Sequence, residues 1–135
     1  MFSFLRKPLF KEIILLSVLV ALLHYTALVY FLYWNIEWFD IIMHFLGGSV
    51  IGLIALFTYY TSGYVKFPKE HFATVFAMTI GTVLVVGLLW ELWELFMGFS
   101  NVFEDQTDTV IDIIMDTLGG ITAVYYAKKH IWPKN

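Results

Sequence analysis

The sequence predicts an all-α, polytopic membrane protein, a four-transmembrane-helix bundle in a single domain over residues 1–135. Three observations predict it. The chain is 60% apolar, 19% aromatic and only 14% charged, whereas soluble domains run at about half apolar and a quarter charged. Four apolar segments approach or exceed the roughly 20 residues that cross a hydrocarbon core of about 30 Å. All eight Lys and Arg residues fall outside those segments and on alternate connections.

The first segment is Ile13–Tyr33, preceded by Arg6, Lys7 and Lys11. A basic start suggests a signal peptide, but the apolar run is too long and lacks a small-residue cleavage site, so a retained helix is expected. The second segment, Phe39–Tyr60, contains DIIMHFLGG at 40–48. The third, Phe72–Met97, is the longest and has room to tilt; its later half carries WELWE, Trp90–Glu94. The fourth, Thr109–Ala127, contains DIIMDTLGG at 112–120. The connections and tails are short, so no soluble domain is expected. There is no cysteine, which removes disulfides, thiolate metal sites and cysteine nucleophiles.

Orientation follows from the basic residues. Arg6, Lys7 and Lys11 precede the first segment, Lys66 and Lys69 separate the second and third, and Lys128, Lys129 and Lys134 follow the fourth. The other two connections hold Glu37, and Glu104, Asp105 and Asp108, without a basic residue. The positive-inside rule then puts both termini in the cytoplasm, with the acidic connections outside. The expected location is the cell (inner) membrane, multi-pass.

The two nonamers agree at seven of nine positions, 72 residues apart; the differences are His44-Phe45 against Asp116-Thr117. Both lie near the outer ends of segments running in the same direction. A helical hairpin duplicated in parallel, about a pseudo-two-fold axis along the membrane normal, produces this pattern, and such repeats place sites at their interface.

Helical spacing then gathers the ionisable groups. Asp40 and His44 share one face, as do Asp108, Asp112 and Asp116. Glu91 and Glu94 are three apart on the third segment. At 1.5 Å per residue, His44, Glu91, Glu94, Asp112 and Asp116 all fall within roughly the outer third of the membrane. Gly47, Gly48 and Gly52, with Gly119 and Gly120, lie one turn deeper on the acidic faces, where small residues permit close helix approach. Asp40 and His44 are therefore expected to face Asp112 and Asp116, with the third segment closing the site.

A charged group at membrane depth costs on the order of 3 kcal/mol unless paired, and every basic residue is expected on the opposite side. Bound cations or protonation of the carboxylates remain. Asp40, His44, Glu91, Glu94, Asp112 and Asp116 form the candidate metal set; carboxylates with one imidazole suit Mg²⁺, Mn²⁺, Fe²⁺ or Zn²⁺ without choosing among them. A di-metal carboxylate bundle is similar, although its Glu-x-x-His signature is missing. Blander readings stand beside this one. Asp40 and Asp108 sit where helix caps are favoured, and Asp112, Asp116 and Glu91 would also suit a water-filled crevice. His24 reads as a hydrogen-bonded core histidine. Trp34, Trp38, Trp90, Trp93 and Trp132 read as interfacial belt, with walling of the site the alternative for Trp90 and Trp93, and Glu104 and Asp105 read as solvated loop.

The order D-x3-H-x2-G (Asp40, His44, Gly47), then WELWE, then DTVIDIIMDTLGG (Asp108–Gly120), resembles the YjdF-like inner-membrane proteins and, more distantly, VanZ-like proteins. The resemblance covers residues 39–121. It implies a polytopic membrane protein with a shared polar site, and the VanZ-like group is associated with glycopeptide-antibiotic resistance. Asp116 stands where VanZ-like proteins tend to have Asn.

Two functional classes follow. The first is a metal-dependent membrane hydrolase or transferase acting on a lipid-linked substrate in the outer leaflet, with Glu94 or His44 as general base. No Lys or Arg is available for a transferring phosphoryl group, so metal would supply the positive charge. The second is a cation- or proton-linked transporter. Deeper in the bundle only Ser49, Thr58, Thr79, Thr82 and Thr122 are polar, so a charge relay across the bilayer is missing from one chain; a homo-oligomer could build one. A metal-stabilised structural or resistance factor is a third reading. The expected partner is membrane lipid. Nucleic acid is not expected, because the basic residues are few and dispersed.

Overall fold

The computed structural model describes residues 9–61, 72–98 and 106–130. Helix α1 spans Phe10–Val29, a single turn α2 Leu32–Asn35, α3 Glu37–Leu56, α4 Phe72–Met97 and α5 Gln106–His130. A π-helical turn, Phe57–Thr61, continues α3. Four helices are long and apolar enough to cross a membrane, at Phe10–Val29, Trp38–Tyr59, Phe72–Met97 and Thr107–His130. The four expected segments are therefore present with small changes at their ends. Lys66, Lys69, Glu104, Asp105 and Trp132 lie outside the described residues.

One boundary differs materially. The first helix was expected to run to Tyr33, but it stops at Val29, where the Tyr30 N–H closes on the Thr26 carbonyl at 3.0 Å. Phe31 then adopts φ 55°, a left-handed conformation uncommon for a bulky residue. That turn redirects the chain into α2. The Tyr33 hydroxyl thereby returns to His24, 2.7 Å from its Nδ1. His24 is half-buried and hydrogen-bonded, as the sequence suggested.

The principal interface joins α3 and α5, and it is built from backbone. A Cβ on Gly48 would collide with the Asp116 backbone, and one on Gly119 would collide with the Phe45 carbonyl. Gly52 lies against Gly120 and Ala123, where a Cβ would stand 2.9 Å from the alanine methyl. Lipid tails are as apolar as leucine, so close van der Waals packing of small residues has to hold such helices together. Gly47 is a correction: a Cβ there meets nothing within 4 Å, so it is not part of the seam. The two Gly-Gly pairs thus serve differently. In α5 a Cβ on Gly119 would meet α3 and one on Gly120 would meet Val83 of α4, whereas of the α3 pair only Gly48 packs tightly, against α5.

Helix α4 buries a stripe at four-residue spacing, Val75, Thr79, Val83 and Gly87, which leads directly to Glu91. At the end carrying Lys11, Lys128 and Lys129, an apolar core gathers Leu53, Leu56, Val75, Ala123, Val124 and Ala127. Bundle contact is therefore apolar at one end, glycine-mediated in the middle and acidic at the other.

Candidate metal centre

His44 lies at the focus of the acidic end. It is 6% exposed, on the α3 face that meets α5. Its Nε2 stands 3.8 Å from Asp40 Oδ1, 3.8 Å from Asp112 Oδ2 and 4.0 Å from Glu91 Oε1, and its Nδ1 stands 3.5 Å from Asp116 Oδ2. Three helices contribute, as expected. The Nε2 separations are too long for hydrogen bonds, which lie near 2.7–3.2 Å. They suit donors arranged about one cation: ligand atoms each about 2.0–2.2 Å from an ion stand roughly 3–4 Å from one another.

Two groups of donors gather near that spacing. Asp40, His44 and Asp112 form one; His44, Glu91 and Glu94 form the other; within each, the ligand atoms lie within 4.8 Å of one another. Asp112 Oδ1 and Glu91 Oε1 are buried without a hydrogen-bond partner. A buried, unsatisfied carboxylate oxygen is expensive, and a cation would satisfy both. The described Lys residues (Lys11, Lys128 and Lys129) all lie at the other end of the helices.

The bundle supports these positions from behind. Glu94 Oε1 accepts the Trp90 indole N–H at 2.9 Å, and the Trp90 and Trp93 rings pack with centroids 4.9 Å apart. Both tryptophans are more than a third exposed, so they border the site as well as facing outward. Asp112 and Asp116 form its buried floor; Asp40, at 29% exposure, stands at its rim.

Two expected residues move apart in role. Asp108 shares the periodicity of Asp112 and Asp116, but it is exposed in the first turn of α5, where a carboxylate favours the helix dipole. Asp40 is no cap: α3 begins at Glu37, three residues earlier, after Ile36 as N-cap. Asp116, expected among the ligands, is in neither donor group; it faces the opposite ring nitrogen.

Two residues were not anticipated. Gly87 lies against the Asp116 carboxylate, where a Cβ would come within 2.5 Å of Oδ2; its place four residues before Glu91 was the available signal. Tyr33 is the other. Burial, together with nearby Asp40 and Glu94, pushes its phenol up to about 12, so it remains a neutral donor beside the acidic end.

A family model described as "Predicted membrane protein (DUF2238)" matches residues 2–131. No curated protein and no solved structure matches. The likeness to VanZ-like proteins is not shown by these comparisons. The YjdF-like likeness extends along nearly the whole chain, and the protein belongs to the DUF2238 family of membrane proteins.

Proposed function

We propose that this membrane protein binds divalent metal through His44 Nε2 and the surrounding carboxylates, and uses it in hydrolysis or group transfer on a lipid-linked substrate. The observation that carries the reading is the ring of Asp40, Asp112 and Glu91 oxygens within 4.0 Å of one buried imidazole nitrogen. In this reading Asp40, His44, Asp112, Glu91 and Glu94 are ligands. Asp116 is a positioning residue: a carboxylate on the second ring nitrogen fixes the tautomer and orientation of a metal-binding histidine. Both nitrogens of His44 are then engaged, so His44 does not serve as general base.

A divalent ion would supply Lewis acidity toward a phosphoryl or acyl oxygen. The positive-inside rule puts this end at the outer leaflet, where a lipid headgroup reaches it past Trp90 and Trp93. The deeper hydroxyls support this reading over a transmembrane pathway. Ser49, Thr58, Thr79, Thr82 and Thr122 each donate to a carbonyl four residues back on their own helix.

Purified protein incubated with Mn²⁺ and a mixture of lipid phosphates and acylated lipids tests it. Turnover by the wild type, lost in Asp112→Asn at unchanged helicity, is expected. Metal-dependent cation flux in proteoliposomes without turnover would replace it with transport.

A further inference from the structure

We propose that the acidic end holds two divalent cations sharing one cluster of ligands; this rests on the metal-centre reading above. The two donor groups, Asp40–His44–Asp112 and His44–Glu91–Glu94, have only His44 in common. Each contains one buried carboxylate oxygen without a hydrogen-bond partner: Asp112 Oδ1 in the first and Glu91 Oε1 in the second. Asp112 is 2% exposed and the Glu91 side chain 10%. A single ion seated on one side of the cluster would leave the orphaned oxygen of the other unsatisfied.

Chemistry divides the ligands. One imidazole nitrogen binds one ion, and Nδ1 of His44 is turned to Asp116. The two groups therefore cannot both be completed by His44. The first ion takes Nε2 with Asp40 and Asp112. The second is held by the α4 carboxylates, Glu91 and Glu94, and a carboxylate oxygen bridges the pair, as in two-metal sites with ions about 3.5–4 Å apart.

Charge leads to the same count. Asp40, Glu91, Glu94 and Asp112 surround Nε2, and Asp116 stands behind it. One divalent ion leaves three of these five charges uncompensated at membrane depth, far from the described lysines. Two ions leave one, and the residual charge falls on Asp116, where the His44 ring N–H faces it. Intramembrane charges persist when paired or neutralised, and the two-ion state meets that condition without protonating any ligand.

The test is a count of ions on the wild-type protein in detergent micelles. Mn²⁺ is titrated to saturation, free ion is removed by dialysis, and bound metal is measured by elemental mass spectrometry and electron paramagnetic resonance. Two Mn²⁺ per chain with an exchange-coupled spectrum are expected. The double variant Glu91→Gln/Glu94→Gln is expected to fall to one ion with the spectrum of an isolated Mn²⁺. One ion per wild-type chain, or two without coupling, overturns the shared two-cation centre while leaving metal binding in place. No bound ion overturns both. The wild-type count decides even if the variant fails to fold. Two ions retained in a folded double variant would place the second elsewhere and also overturn the proposal.

Discussion

His44 and Asp116 occupy the same position in the two copies of the nonamer, and across the α3–α5 seam they meet, Nδ1 to Oδ2, at 3.5 Å. A parallel repeat brings equivalent positions face to face near its pseudo-axis. Identical acids there would repel at short range, and identical imidazoles would leave no carboxylate to orient the ring. The His-for-Asp difference resolves the conflict and separates the roles of the two copies. In the proposed metal centre one copy carries the ligand and the other holds it in place.

The seam makes neighbouring glycines unequal. Gly48→Ala forces a methyl into the Asp116 backbone, whereas Gly47→Ala points into open space. Overpacking costs about 1–3 kcal/mol, while Gly→Ala inside a helix stabilises by roughly 0.5–1 kcal/mol where nothing clashes. Thermal unfolding in detergent should show Gly48→Ala and Gly119→Ala clearly destabilised and Gly47→Ala at or above wild type. Equal losses at Gly47 and Gly48 would mean the helices cross on another face.

Gly87 separates packing from metal affinity. An alanine there meets the Asp116 carboxylate, which can swing away at low cost, but not without leaving His44. Gly87→Ala should keep its fold and bind Mn²⁺ about 10–100-fold more weakly, the usual cost of losing an outer-shell partner. Unchanged affinity would show that Asp116 does not orient the imidazole.

Asp112 and Asp116 should differ in kind. Asp112→Asn removes a ligand and is expected to abolish binding at the first ion. Asp116→Asn retains a hydrogen-bond acceptor toward Nδ1 and should lose about 10–100-fold. Metal titrations of the two variants provide the comparison, and an equal and complete loss would return Asp116 to the ligand set.

Ion binding should raise stability by mass action. Mn²⁺ at a hundred times its dissociation constant contributes about 2.7 kcal/mol, visible as a higher Tm that a chelator reverses. A Tm that falls on adding Mn²⁺ would contradict a site formed by the folded bundle.

The chain has no cysteine, so topology can be read with single introduced thiols. Glu37→Cys should react with a membrane-impermeant reagent added outside intact cells, and Lys129→Cys should react only after lysis. The opposite pattern would move the site to the inner leaflet.

Much of this was legible in the sequence because membrane thickness and the helical period act locally. Segment length located the four helices, and four-residue spacing brought Asp40, His44, Asp112 and Asp116 together. Periodicity fixes a face but not the angle at which two faces cross, which is why Gly47 and Gly48 could not be told apart. It also does not set depth: Asp108 shares the face of Asp112 yet lies exposed in the first turn of its helix. The left-handed Phe31 had no Gly, Asn or Pro to announce it, so the return of Tyr33 to His24 was hidden. Asp116 was placed at the site but not in its role, because which ring nitrogen faces which carboxylate depends on the three-dimensional setting of the imidazole.

A metal centre at the acidic end is tested by the metal content of the purified protein, read by elemental mass spectrometry for wild type beside Asp112→Asn. Stoichiometric divalent metal in the wild type, clearly reduced in a folded Asp112→Asn, is the predicted result. A wild type that holds no metal when supplied in turn with Mg²⁺, Mn²⁺, Fe²⁺ and Zn²⁺ would contradict it.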